Sequence, residues 1–564
     1  MLLSYAHGTA DQPLIGETIG GLLDRTASQY PAHEALVSVF ENIRFDYAGF
    51  RQETERCARA LMALGVKKGD RIGVWATNCV PWVLLQFATA KAGAILVSIN
   101  PAYRLHELEF ALSQSECNLL MIGEGFKDAD YALMLQKLVP ELASADPKRE
   151  LLLKKLPHLR RVVSVAAGTG SGALPWKSFL SAADQVSAEA LQSRQAELNF
   201  DDVINIQYTS GTTGFPKGAM LTHHNLVNNG YWIGERMRLT SRDRVCIPVP
   251  FYHCFGMVLS NLACVTHGAA MVLPAPHFSP LHTLEAVASE RCTALHGVPT
   301  MFIAELQHPR FHEFDVSTLR TGIMAGAPCP AEIMKRVMTE MHCPEITIAC
   351  GMTETSPVCN MTEVDDPLEV RVGTVGRVMP HQEQKIVDPL TDKILPRGQP
   401  GELCYRGYHL MRGYYNNPSA TSEMIRAGWL HSGDIAVMDL QGYVRIQGRL
   451  KDMICRGGEK IFPREVEEFL YTNSKISDVA IIGVPDPYYG EQVMAWVKVR
   501  EGENMAATEL QEFCRGQIMD YKIPNYVKFV DDFPKTITGK IQKYRMREMS
   551  ITELGLEVSG SKAG

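Results

Sequence analysis

No Cys-x-x-Cys pair occurs in this sequence, although it holds fourteen cysteines, and none of them groups with histidine at zinc spacing. Zinc ribbons and thioredoxin-like redox motifs are thereby excluded. Many of the cysteines stand in apolar company, Cys246, Cys264 and Cys404 among them. They are expected to be buried free thiols in a reducing compartment. No excess of basic charge exists either. The net charge is −7, so bulk attraction to nucleic acid or to an anionic membrane is not expected.

Long apolar runs are missing as well. The most apolar stretch, 82–99, is broken by Gln86, Lys91 and Gly93, which suits a buried helix and strand rather than a transmembrane span. The first residues, Met-Leu-Leu-Ser-Tyr-Ala-His-Gly, lack the basic and apolar regions of a signal peptide. The last four, Ser-Lys-Ala-Gly, are not a peroxisomal address. The expectation is a cytoplasmic protein. Oligomeric state is left open, a homodimer included, as is peripheral contact with a membrane. There is also no Walker loop, because Lys217 is followed by Gly218 rather than by Ser or Thr.

What is present is length and ordinary globular composition. The chain has 564 residues, 46% hydrophobic and 21% charged, enough for several domains. Strand-like and helix-like segments alternate from Gly69 to Ile99, which predicts an α/β fold with a parallel sheet. The run 166–172 is a surface loop by composition and carries no function.

Residues 208–218 read Tyr-Thr-Ser-Gly-Thr-Thr-Gly-Phe-Pro-Lys-Gly. The segment 203–208 before them reads as a strand, and a helix is expected from about Asn225. Glycines let the backbone approach a ligand closely. Amides and the hydroxyls of Thr209, Ser210, Thr212 and Thr213 can donate to anionic oxygens, and Lys217 adds a point charge. Gly211 and Gly214 supply the freedom. A flexible solvated turn would not require this order of residues.

Further segments carry chemistry-bearing types. Residues 249–256 place His253 among aromatics, which core packing alone could explain. Residues 322–328 run from an expected strand into the small-residue turn Gly326-Ala327-Pro328, flat enough to lie under a ring. Residues 346–354 run from a strand into Cys350-Gly351-Met352-Thr353-Glu354. Asp434 lies in Leu430-His431-Ser432-Gly433-Asp434 and reads equally as a hairpin-turn residue; Arg449 ends a strand-like segment. Gly457-Gly458 form a loop, and Lys540 sits in Thr538-Gly539-Lys540. The basic run Lys543, Arg545, Arg547 suits a solvated face.

In order and content these motifs resemble those of the adenylate-forming (AMP-binding) superfamily, acyl- and aryl-CoA synthetases, from about Thr26 to Arg547. The resemblance is closest to medium-chain fatty acyl-CoA ligases. It implies a large N-terminal domain of several subdomains, residues 1–449, with mixed and parallel sheets, and a small mobile α+β domain, 450–564, pivoting near Lys451. It implies an ATP-dependent fatty acid–CoA ligase, medium- to long-chain, working through an acyl-adenylate. Aryl- or branched-acid CoA ligases, an acyl-AMP ligase loading a carrier protein, and a catalytically dead acyl-nucleotide binder are the alternatives. ATP, Mg²⁺ and coenzyme A are the implied cofactors, with a carboxylic (fatty) acid as substrate.

The resemblance also implies roles. Lys217 and residues 209–214 would hold phosphates, and Thr209 with Glu354 the Mg²⁺. His253 would position the acid, with Phe251, Tyr252, Phe255, Met257 and the segment 297–301 at the acyl channel. Residues 326–328 and 350–354 would border the adenine, Asp434 and Arg449 the ribose. Lys540 would be the catalytic lysine, and Gly457-Gly458 would reach the active site when CoA is used, with Lys543, Arg545 or Arg547 on its phosphates. Two departures stand out. Cys350 replaces a tyrosine that stacks on adenine in most relatives, and Lys460 stands where asparagine is common.

Overall fold

A computed structural model describes residues 2–166, 172–209, 216–327, 329–535 and 541–556. By contacts the chain divides into two compact units, and neither is one unbroken stretch of sequence. The larger comprises Ala6–Glu383 and Tyr405–Leu430; the smaller comprises Met1–Tyr5, Gln384–Cys404 and His431–Gly564. Most of the surface run at 166–172 lies outside the described residues.

The larger unit is α/β with two large sheets. One runs in the order Leu174–Pro175, Arg161–Ser164, Leu119–Ile122, Arg71–Trp75, Ile95–Ser98, Val203–Thr209, Lys217–Thr222, Gly413–Tyr414. It is parallel as far as Val203–Thr209 and antiparallel beyond it. The other has nine strands, with a parallel centre made of Glu345–Gly351, Thr321–Ala325, Ala294–Gly297, Arg244–Cys246, Ala270–Leu273 and Glu34–Ser38. Parallel strands are covered on both faces, which is why they read as continuous apolar runs.

The apolar stretch 82–99 is a core helix and strand. Every residue of helix Val80–Ala92 is buried, and Gly93 closes it at φ +73. Lys91 is reached by this burial too, and its ammonium lies 2.6 Å from Asp24 Oδ1, so the buried cation is paired. Segment Phe255–Leu262 is wound as a π-helix and wholly buried. Such widened turns are rare and occur often at functional sites.

The smaller unit holds a five-stranded sheet, Glu459–Ile461, Ile454–Arg456, Gly490–Val499 and Ile476–Asp486, with Tyr526–Phe529 parallel to Gly490–Val499. Helices Pro463–Leu470, Ala507–Cys514 and Lys543–Leu554 belong to the same unit. Strand Trp429–Met438, most of it in this unit, pairs antiparallel with Val444–Arg449. Among the described residues no helix is long and apolar enough to cross a membrane. All fourteen cysteines are free thiols, and Cys246, Cys264 and Cys404 are buried as expected.

Candidate active site

In the larger unit the expected site segments emerge from the carboxyl ends of neighbouring parallel strands. Thr321–Ala325 leads into Gly326-Ala327, Glu345–Gly351 into Met352–Glu354, and Arg244–Cys246 into the segment bearing His253. In open α/β sheets this edge is where ligands bind. Gly326 takes φ +87, a left-handed backbone that turns the chain sharply after its strand. Gly351 is required by a close approach, since a Cβ there would lie 1.8 Å from the Pro357 carbonyl oxygen. Cys350, half-buried, is the penultimate residue of its strand and lies opposite Asn360.

The phosphate-loop expectation needs one correction. The segment after Thr209 does not lead directly into a helix. Lys217–Thr222 is a strand that pairs back on Val203–Thr209, with Thr209 opposite Lys217, and helix His223–Arg236 begins only afterwards. The burial of Lys217–Thr222 does not alternate, since Gly218, Ala219, Leu221 and Thr222 are all buried; ladder pairing with Val203–Thr209 on one side and Gly413–Tyr414 on the other makes it a strand. Lys217 therefore stands at a hairpin base. Ser210, Gly211, Thr212, Thr213 and Gly214 lie outside the described residues, as do Pro328 and Lys540.

Two expected residues, Glu354 and Lys217, are tied together by one the sequence did not single out. Tyr414, from strand Gly413–Tyr414, lies opposite Ala219. Its phenol donates a 2.6 Å hydrogen bond to Glu354 Oε1, and the Lys217 ammonium lies 5.2 Å above its ring centroid. Glu354 is buried at 6% exposure, and its backbone carbonyl accepts from Met411 N at 2.9 Å. Burial first, then the Glu354 carboxylate, pushes the Tyr414 phenol well above its ordinary range. Residues 412–415 read Arg-Gly-Tyr-Tyr, which offers no local signal for this role.

His253 is exposed, and its Nδ1 accepts from Phe255 N at 3.1 Å, so in the neutral ring the proton sits on Nε2. Cys254 beside it is buried. Its thiol is pushed up to about 12, chiefly by burial, with Thr353 and the Glu354 charge as smaller influences. The His253 segment and the Glu354 turn are thus neighbours. Thr209 Oγ1 lies 3.5 Å from the Lys217 carbonyl, at the limit of a hydrogen bond.

The donor chemistry at Glu354 fits a hard cation. One carboxylate oxygen is taken by Tyr414, and no hydrogen bond from the described residues reaches the other. Mg²⁺ typically uses one or two protein carboxylates, with phosphate and water completing its shell.

In the smaller unit Asp434 and Arg449 are cross-strand partners, and Arg449 Nε lies 2.7 Å from Asp434 Oδ1. Below them Glu402, Cys404 and His431 converge. His431 Nδ1 is 2.9 Å from Glu402 Oε2 and 3.4 Å from Cys404 Sγ. Glu402 Oε1 accepts from Gly433 N at 3.2 Å, and Ser432 Oγ donates to Leu403 O at 2.6 Å. This buried group supports the backbone from which Asp434 projects. Gly457 and Gly458, at φ +58 and +93, make the two-residue turn between Ile454–Arg456 and Glu459–Ile461. Gly457 N donates to Tyr489 O at 2.8 Å. Lys451 is exposed in the short helical turn Leu450–Asp452. Lys543 pairs with Glu467 at 2.6 Å and Arg547 with Glu491 at 2.7 Å.

The AMP-binding enzyme family model matches residues 23–415, and that of the AMP-binding enzyme C-terminal domain matches 465–540. The chain belongs to the AMP-binding enzyme family. Within this adenylate-forming group it is an acyl-CoA synthetase. It is 50% identical to the acyl-CoA synthetase YngI of Bacillus subtilis (strain 168), over 97% of this chain and 99% of that protein. The mitochondrial medium-chain acyl-CoA ligase ACSF2 of Danio rerio is 43% identical, over 98% of this chain and 91% of its own. Among solved structures, ATP-bound MatB from Rhodopseudomonas palustris superposes with a TM-score of 0.80 at 28% identity, covering 94% of this chain and 99% of that one. As an AMP-binding enzyme the chain is accounted for along nearly its whole length, the tail domain included.

Proposed function

We propose that this acyl-CoA synthetase activates medium-chain fatty acids, forming an acyl-adenylate from ATP and then the CoA thioester. The observation that carries the chain-length reading is the 43% identity to a medium-chain acyl-CoA ligase, which extends over 98% of this chain. The free thiols agree with a cytoplasmic setting.

A carboxylate is a poor acylating agent because its leaving group would be oxide. In the first step a carboxylate oxygen attacks the α-phosphorus of ATP, and the α–β bridging P–O bond breaks as pyrophosphate departs. In the second the CoA sulfur, having lost its proton, attacks the acyl carbon and AMP departs. His253 orients the acid. Lys217 and residues 209–214 hold the β- and γ-phosphates, with Glu354 and Thr209 holding Mg²⁺. Bound there, the ion supplies charge neutralisation on the phosphoryl oxygens. Residues 326–328 and 350–353 flank the adenine. Asp434 accepts from the ribose hydroxyls and Arg449 supports it. Lys540 bridges carboxylate and α-phosphate in the first step.

The tail domain, taken from residue 450 onward, then pivots near Lys451. This withdraws Lys540 and brings Gly457-Gly458 to the thiol. Hinges need only a few residues that absorb a backbone change. With Lys543 and Arg547 already paired, Arg545 is the better placed of the three to take a CoA phosphate.

The test is pyrophosphate release and thioester formation across straight-chain, branched and aromatic acids, with and without CoA. Greatest kcat/KM for straight chains of medium length, with thioester product, is expected. A preference for aromatic acids, or acyl-adenylate that never reaches CoA, would replace this reading.

A further inference from the structure

We propose that Tyr414 is a positioning residue for the adenylation step, setting both the metal-binding carboxylate and the phosphate-binding lysine. The inference rests on the roles proposed for Glu354 and Lys217 and names the group that links them.

The argument begins with placement. Tyr414 sits on a two-residue edge strand of the eight-stranded sheet, whereas Glu354 follows a strand of the nine-stranded sheet. The 2.6 Å bond from phenol to carboxylate therefore spans two sheets at the point where Lys217 enters. Tyr414 is itself pinned. Its backbone N–H donates to Thr421 Oγ1 at 2.9 Å, and the next residue, Tyr415, donates its N–H to the Gly218 carbonyl at 2.8 Å.

Two separate consequences follow. The phenol is a neutral donor, so it engages Glu354 Oε1 without cancelling the carboxylate's charge. It fixes the side-chain rotation and leaves Oε2 directed for a cation. A lysine or arginine in its place would compete with that cation. The face of the ring, 5.2 Å from the Lys217 ammonium, is the electron-rich side of the aromatic system. It holds a flexible four-carbon stem in one region without a hydrogen-bond acceptor to engage the ammonium, which leaves the N–H groups turned away from the ring for phosphate. One side chain thus uses its edge for the metal ligand and its face for the phosphate ligand. Partners that orient metal ligands commonly matter as much as this for affinity.

Two variants separate the functions. Tyr414→Phe removes the donor and keeps the ring; Tyr414→Leu removes both. The Phe variant should need about ten-fold more Mg²⁺ for half-maximal pyrophosphate release, the scale of one hydrogen bond to a charged group. Its KM for ATP at saturating Mg²⁺ should stay unchanged. The Leu variant should show the same shift and also a raised KM for ATP. Mn²⁺ binding in the presence of ATP and without acid, followed by its electron paramagnetic resonance signal, should weaken about ten-fold in both variants and so reads the site independently of turnover. Thioester formation from supplied acyl-adenylate should match wild type in both, which excludes misfolding. A Phe variant with wild-type Mg²⁺ dependence and Mn²⁺ affinity overturns the proposal. So does a Leu variant that is indistinguishable from Phe in its KM for ATP. If wild type itself releases no acid-dependent pyrophosphate, the functional reading fails first and the Mn²⁺ arm still decides the role of Tyr414.

Discussion

Arg449 Nε lies 2.7 Å from Asp434 Oδ1, and the two residues face each other across an antiparallel strand pair. The arginine occupies one oxygen of the carboxylate and sets its orientation, and the strand pairing fixes both backbones. Asp434 is propped from beneath through Ser432 and Gly433, so its position is determined from several directions.

Asp434→Asn tests the ribose assignment. With ATP it should raise KM about ten-fold, the scale of a lost charged hydrogen bond. With 2′,3′-dideoxy-ATP, which has no ribose hydroxyls to donate, wild type and variant should converge. A difference that persists with the dideoxy nucleotide would assign Asp434 a structural role instead.

Lys540→Ala should lower acyl-adenylate formation by about 10²–10³-fold, as expected for removing a group aimed at developing charge. Thioester formation from supplied acyl-adenylate should be largely spared. Equal losses in both half-reactions would remove Lys540 from the first step.

Lys451→Pro should do the reverse by restricting the backbone at the proposed pivot. Pyrophosphate release continues while CoA-dependent turnover falls. Unchanged thioester formation would place the hinge elsewhere.

Gly351→Ala addresses packing. The added Cβ would meet the Pro357 carbonyl at 1.8 Å, so the strand end must shift. A loss of about 1–3 kcal/mol is expected from denaturant unfolding, the usual cost of overpacking. The Glu354 turn, three residues on, should move with it, raising the Mg²⁺ requirement. Wild-type stability would mean the backbone relaxes without cost.

Alkali should destabilise the fold in a defined window. Burial raises the Cys79, Cys117 and Cys254 thiols from 9.0 to about 12. Groups raised on folding stabilise below their unfolded value and lose that contribution as pH rises towards the folded one. Between about pH 9 and 12 the unfolded chain releases these protons first. Each thiol then removes up to about 1.4 kcal/mol per pH unit. Urea unfolding at pH 8 and pH 10 measures this, and a Cys79→Ala variant should lose less between the two.

Much of this was legible in the chain. The helix over 80–92 shows as a continuous apolar run, the strands Val203–Thr209 and Gly490–Val499 as short runs rich in β-branched and aromatic residues, and order along the sequence carried the motifs from 208 to 540. The hairpin at Lys217 was not legible as such, because Lys217–Thr222 shows no polar–apolar alternation and is a strand through its pairing with Val203–Thr209. Tyr414 was invisible for a different reason. It acts on residues 60 and 197 positions away, and no local pattern encodes a contact across two sheets.

Sequence by itself determined the chemistry: the hydroxyls, carboxylates and lysines needed to handle a nucleotide and an acid, and the order in which they occur. Tertiary structure alone decided which of them share a hydrogen bond, since residues far apart in the chain meet only when sheets pack. The carboxylate of Glu354 is specified locally, but its direction is set by a tyrosine that only the folded sheets bring within 2.6 Å.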